Sequence, residues 1–188
     1  MTLIALAGLP GVGKSTLARA LAAELGAPVF DKDAVRAGLF GPEGVEYSRA
    51  QDDLCAERSY RAAEDALRGG SGGAAGGGRP THALLDGRTY SRAGQIEALR
   101  AFAARAELPL LIVECVCSEA SAVERLARDA AAGRHPAADR GPELHRRLRQ
   151  QAVPIEGPKL VIDTDRLPLA EQVAAVRAAL PTPIADRD

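Results

Sequence analysis

Apolar residues in this chain fall into two rhythms, short unbroken runs and longer stretches that repeat every three to four positions. The first run, Thr2-Leu3-Ile4-Ala5-Leu6-Ala7, lacks polar alternation, as expected of a parallel strand buried on both faces. Leu17, Ala18, Leu21, Ala22 and Leu25 follow at helical spacing, and Gly26 supplies a C-terminal stop. Ala27-Pro28-Val29-Phe30 predicts a second strand, followed by a helical turn or two from Ala34 to Leu39. Ser48 to Arg68 predicts a helix, with Ser48 as N-cap and Gln51 in the capping-box position. His82-Ala83-Leu84-Leu85-Asp86-Gly87 is the third strand, and Ser91 to Ala106 a helix with Ile96, Leu99, Phe102 and Ala103 inward. Leu108 to Cys117 is the most continuous apolar run and hence a central strand. A helix from about Ser118 to Ala132 is broken by Gly133-Arg134-His135-Pro136. A short Arg-rich helix (Glu143 to Gln151), a fifth strand (Lys159 to Asp163) and a last helix (Leu169 to Leu180) complete the pattern.

Strand and helix thus alternate five times. That predicts an α/β fold, a three-layer sandwich whose parallel sheet is covered by helices on both faces. Right-handed crossovers leave few topologies open. The 188 residues suit one domain, over 1–182, with a frayed tail at 183–188. The glycine-rich stretch within 69–79 is a flexible insertion in that domain, because the strand after it is needed to complete the sheet.

Chemistry enters at the first turn. Gly8-Leu9-Pro10-Gly11-Val12-Gly13-Lys14-Ser15-Thr16 fits G-x-x-x-x-G-K-[ST] at every specified position, between a predicted strand and a predicted helix. Glycines let successive N–H groups wrap a phosphate, and the helix N-terminus adds its dipole. Gly11, Val12, Gly13, Lys14, Ser15 and Thr16 are the expected nucleotide-binding residues. Lys14 reaches the β- and γ-phosphates, and the Ser15 hydroxyl is a ligand for Mg²⁺. Two further carboxylate sites lie at the ends of strands, on the edge where ligands bind in parallel sheets. Asp31 and Asp33 follow the second strand, and spacing alone leaves open which of them accepts a hydroxyl proton. Asp86 ends the third strand in the manner of a Walker B segment, making it the second residue expected at Mg²⁺. Arg125, Arg128, Arg134 and Arg140 surround the break near Gly133, at about 128–142. A lid there would bring cations to the transferred phosphoryl group and exclude water.

Composition narrows the class. The net charge is −1, there are three Phe, three Tyr and no Trp, and only Lys14, Lys32 and Lys159 of the 24 basic residues are lysines. This is neither the electrostatic footprint nor the stacking surface of a dedicated nucleic-acid binder, so nucleic acid is disfavoured as a partner. Cys55, Cys115 and Cys117 have neither metal-ligand spacing nor a disulfide framework, and they read as buried, inert thiols. With no basic leader before the first apolar run and no membrane-spanning run, the expected location is the cytoplasm.

These residues resemble a family. The phosphate loop, Asp33-Ala34-Val35-Arg36 after the second strand, the Leu84-Leu85-Asp86 strand end and the Arg128 to Pro136 segment are similar to the predicted ATP-binding (AAA-type) P-loop kinases. That group is similar to polynucleotide 5′-kinase, chloramphenicol phosphotransferase and the zeta-toxin kinases. The resemblance spans Leu3 to about Leu180 and implies the P-loop NTPase fold with strand order 2-3-1-4-5. It also implies ATP and Mg²⁺, with Asp33 as general base, Arg36 holding the acceptor, and Arg128 or Arg134 as the lid cation. The expected reaction is transfer of the γ-phosphate to a hydroxyl of a small molecule. The alternatives are a polynucleotide 5′-hydroxyl kinase and a regulatory P-loop NTPase that binds a protein partner. The N-K-x-D segment of guanine-specific switches and the L-S-G-G-Q of transporter ATPases do not occur.

Overall fold

Five short apolar segments become strands: β1 (Thr2–Ala7), β2 (Val29–Asp31), β3 (His82–Asp86), β4 (Leu110–Val116) and β5 (Leu160–Asp163). They form one sheet in the order β2-β3-β1-β4-β5, with every neighbouring pair parallel. The computed structural model describes residues 1–41, 43–69, 79–132 and 141–181. The glycine-rich insertion, Arg134 with the rest of the expected lid from 133 to 140, and the tail from 182 lie outside them. Among the described residues six helices connect the strands and a seventh follows the last: α1 (Lys14–Leu25), α2 (Lys32–Phe40), α3 (Arg49–Arg68), α4 (Gln95–Arg105), α5 (Glu119–Ala131), α6 (Pro142–Gln151) and α7 (Leu169–Ala179).

The central strand explains the layering. Every residue of β1 is buried, and the two-residue period sends its side chains alternately to two cores. Leu3, Ala5 and Ala7 pack with Ala63 and Leu67 of α3 and Ile96 and Leu99 of α4. Ile4 and Leu6 pack with Leu17 and Leu21 of α1 and Val176 of α7. The same alternation continues on β3, where Ala83 and Leu85 face the first core and Leu84 the second. A strand so enclosed has to read as a continuous apolar run.

The boundaries of α2, α4 and β4 differ from expectation, each for a local reason. Helix α2 starts at Lys32 rather than Ala34, because the Asp31 carboxylate caps it by accepting from the Asp33 N–H at 2.8 Å. Helix α4 starts at Gln95 rather than Ser91. The Ser91 hydroxyl bonds to that of Thr89 (2.8 Å), its carbonyl accepts from the Val153 N–H (2.9 Å), and the helix instead begins after Gly94 at φ +81°. Leu108 lies just beyond α4 and closes its C-terminal turn by donating its N–H to the Ala103 carbonyl, so β4 opens only at Leu110. The expected capping box of α3 is half formed. Ser48 accepts from the Gln51 N–H, while the Gln51 side chain reaches back past it to Glu46 and Gly44.

Candidate active site

The phosphate loop runs from the end of β1 into α1 and is walled by neighbouring backbone. Gly8 stands at φ +126°, and a Cβ there would fall 2.3 Å from the Cys115 carbonyl oxygen. At Gly11, φ +82°, a Cβ would meet the Ala122 carbonyl oxygen at 2.7 Å and the Leu126 side chain at 2.9 Å. Only glycine satisfies both the backbone region and the approach of α5. Two side chains grip the loop from elsewhere in the chain. The Thr164 hydroxyl donates to the Val12 carbonyl at 3.0 Å, and His145 Nδ1 lies 2.8 Å from the Pro10 carbonyl oxygen. A carbonyl can only accept, so Nδ1 of His145 carries the proton in this bond.

Lys14 is buried and donates to the carbonyls of Gly8 (2.6 Å) and Leu9 (2.8 Å), drawing the loop around its own ammonium. Ser15 and Thr16 face solvent in the first turn of α1, where the Thr16 N–H donates to the Gly13 carbonyl at 3.1 Å. Asp86 sits at the carboxyl end of β3, in register with Asp31 on β2. It is buried, and its Oδ1 has no hydrogen-bond partner among the described residues. A buried, orphaned carboxylate oxygen at the carboxyl end of β3 suits a hard cation that takes oxygen ligands. Among the described residues no group of three or more His, Cys, Asp or Glu could hold a metal ion. Mg²⁺ held by one or two protein oxygens, phosphates and water needs no such group.

Cys115 reports on the same neighbourhood. Burial pushes its thiol up to about 11, with Lys14 opposing and Asp86 reinforcing the shift. Burial likewise raises Cys55 and Cys117, and all three cysteines are free thiols.

On α2, one turn after Asp33, Arg36 is buried and donates from Nη1 to Asp33 Oδ1 at 2.7 Å. Its Nη2 donates to Asp52 Oδ1 on α3 at 3.2 Å. Asp52 gathers the surrounding cations: Lys32 in a short ion pair on Oδ1, Arg92 at 2.6 Å and Arg88 at 3.6 Å on Oδ2. Burial alone would raise the Asp52 carboxyl, but Lys32, Arg88 and Arg92 outweigh it and hold the carboxyl below its ordinary value. Arg88 is itself buried, pairs closely with Asp53 and reaches the Tyr60 hydroxyl, which in turn meets that of Tyr90 at 3.2 Å.

The sequence-expected residues are therefore distributed as follows. The loop residues Gly11 to Thr16, with Asp33, Arg36 and Asp86, lie together along the carboxyl edge of β1, β2 and β3. Asp31 Oδ1 caps α2, and Asp33 Oδ1 accepts from Arg36. Arg128 lies exposed on α5, paired at 2.6 Å with Glu124 one turn back, and Arg134 is outside the described residues. Arg125 is held by Thr164 and Asp165, both at 2.9 Å. Asp52, Arg88, Arg92, Thr164 and His145 were not singled out by motif. His145 left a trace as a histidine between the apolar positions Leu144 and Leu148 of an otherwise charged helix.

Residues 3–154 match the sequence model of the AAA domain family. No curated protein sequence matches the chain. Among solved structures, one from Chloroflexus aurantiacus J-10-fl, described as a "putative kinase", is 27% identical with a TM-score of 0.69, covering 96% of this chain and 98% of that one. The Mycobacterium tuberculosis APS kinase in complex with AMPPNP and APS is 22% identical with a TM-score of 0.66, covering 94% of this chain and 95% of that one. A gluconokinase from Sinorhizobium meliloti 1021 is 19% identical with a TM-score of 0.64, covering 94% and 90% respectively. The family match spans most of the sequence, and the sheet order is that expected of P-loop kinases. The chain belongs to the AAA domain family and has the fold of P-loop kinases.

Proposed function

We propose that the protein transfers the γ-phosphate of ATP to a hydroxyl group of a small molecule, with Asp33 as general base. The observation that carries this reading is the Asp33–Arg36 pair, a carboxylate fixed at 2.7 Å by a buried guanidinium on the phosphate-loop edge of the sheet. Asp33 accepts the acceptor's hydroxyl proton as the oxygen attacks, and Arg36 fixes the carboxylate and the acceptor beside it. Lys14 exchanges its two loop carbonyls for the β- and γ-phosphate oxygens, and the loop amides from Gly11 to Thr16 hold the phosphates in place. Ser15 and Asp86 would hold Mg²⁺, which supplies charge neutralisation to the transferred group when bound. Arg128 and Arg134 are the lid cations of this reading. The exposed Arg128–Glu124 pair is weak enough to be exchanged for a phosphate. The gluconokinase and APS kinase names of two neighbours favour a small acceptor over nucleic acid.

The test is a phosphorylation screen with labelled ATP over small hydroxyl compounds and oligonucleotides bearing free 5′-hydroxyls. A small molecule is the expected acceptor. Asp33→Asn should lower turnover by about 10²–10⁴-fold while ATP affinity is retained. Near wild-type turnover in that variant removes Asp33 from the role, and labelling of oligonucleotides alone converts the reading to a polynucleotide 5′-kinase.

A further inference from the structure

Asp52 divides two compartments. Its Oδ1 takes Lys32 and Arg36 from the Asp33 side, and its Oδ2 takes Arg92 from the other. Beyond Arg92 lies a cavity of about 400 Å³ between α3 and the start of α4. Tyr60 and Phe102 contribute its buried aromatic wall, with ring centroids 5.4 Å apart. Four guanidiniums line it, those of Arg49, Arg88, Arg92 and Arg105, against only the two carboxylates of Asp53 and Glu57.

Those carboxylates are already engaged. Asp53 pairs with Arg88, and Glu57 pairs at 2.7 Å with Arg61. Arg49 and Arg105 are exposed and take part in no ion pair among the described residues. Arg88 is buried, with a side chain 7% exposed, yet its Nε has no acceptor among the described residues. Gly94 and Gln95 also line the cavity, so the N-terminus of α4 borders it without a side-chain cap, the Gln95 N–H donating to the Arg92 carbonyl at 3.3 Å. A helix N-terminus, a guanidinium excess and a buried donor lacking an acceptor converge on one chemistry, that of an oxyanion.

We propose that this cavity binds an anionic group, phosphate or carboxylate, of the acceptor whose hydroxyl is presented to Asp33. The contiguous chain Asp33–Arg36–Asp52–Arg92 joins the reacting end to the anchoring end. The inference rests on the phosphotransferase reading, because it assigns the second half of that same acceptor site. Acceptors are then anionic hydroxyl compounds, such as sugar acids or phosphorylated alcohols, and neutral polyols are poor substrates.

The test uses the full chain saturated with ADP and Mg²⁺, so that the phosphate loop is filled, titrated calorimetrically with inorganic phosphate and separately with acetate. One anion is expected to bind with one-to-one stoichiometry, and the tighter of the two distinguishes a phosphorylated from a carboxylate acceptor. The double substitution Arg49→Gln/Arg105→Gln should weaken that binding about tenfold, the loss expected when charge-assisted hydrogen bonds are removed. Its melting temperature and ADP affinity should be unchanged, since both side chains are exposed and without ion pairs. Lys14→Ala, titrated without nucleotide, should keep the anion site. Absence of binding by both anions, or equal affinity in the double variant, overturns the inference. Failure of the wild-type chain to bind ADP overturns the kinase reading instead, and the Lys14→Ala titration still reports on the anion site.

Discussion

His145 and Pro10 lie 135 positions apart in sequence, yet the imidazole Nδ1 of one stands 2.8 Å from the carbonyl oxygen of the other, both residues buried. The phosphate loop is thereby tied to α6, the helix immediately beyond the segment expected to act as a lid. Removing a donor from a buried carbonyl costs about 1–3 kcal/mol. His145→Leu should therefore weaken ADP binding by roughly tenfold and lower the melting temperature by a few degrees. Titration of ADP into the variant decides the point, and undiminished affinity would show that the loop holds its shape without α6. Asn at the same position keeps a donor and should recover part of the loss.

Lys14 is expected to behave differently from Asp33. Its ammonium holds two loop carbonyls and is the cation proposed for the phosphates. Lys14→Ala should weaken nucleotide binding and abolish turnover together, whereas Asp33→Asn separates the two. Equal ADP affinity in Lys14→Ala and wild type would remove Lys14 from the nucleotide site.

Gly11 tests the wall of the loop. Alanine there combines a left-handed backbone with a Cβ 2.7 Å from the Ala122 carbonyl oxygen. The backbone strain alone is worth about 1–3 kcal/mol. Gly11→Ala should lower the melting temperature and abolish ADP binding. A variant that keeps wild-type ADP affinity would mean that α5 yields to the added methyl group.

Asp52 gives the fold an acid sensitivity with a defined sign. Its carboxyl lies below the ordinary value of 3.8 in the folded chain, so folding favours the ionised form. The resulting stabilisation is complete above that value and is lost as the pH falls through the lower folded value. Asp52→Asn leaves Lys32, Arg36, Arg88 and Arg92 without their shared counter-ion, and should cost about 3 kcal/mol at neutral pH. The difference from wild type should shrink below pH 3.8 in denaturant unfolding series. A difference that stays constant through that range would assign the destabilisation to packing rather than charge.

The sheet and the shape of the glycine loop were legible in the sequence because each rests on local pattern. Leu3 to Ala7 read as a buried strand since both neighbours of β1 are parallel strands, and Gly11, Gly13 and Lys14 are spaced by the loop they build. Asp33 was separated from Asp31 only by resemblance; in the fold Asp31 Oδ1 caps α2 while Asp33 pairs with Arg36, an arrangement that spacing alone does not carry. What was illegible is non-local. Asp52 looks like an ordinary first-turn acid of α3 until Lys32, Arg88 and Arg92 converge on it from two other segments. Residues 91–94 were read as helix because apolar spacing cannot register that Ser91 is bonded to Thr89 and Val153.

The close fit of Gly11 against Ala122 and Leu126 means that the nine-residue motif is not a portable part. Its curve is completed by a helix that arrives more than a hundred positions later. Grafting Gly8 to Thr16 onto another strand and helix would carry over the amides and the lysine but leave behind the surface that moulds them. Pattern matches of this length in designed or unrelated chains should therefore be judged by what stands behind the second glycine.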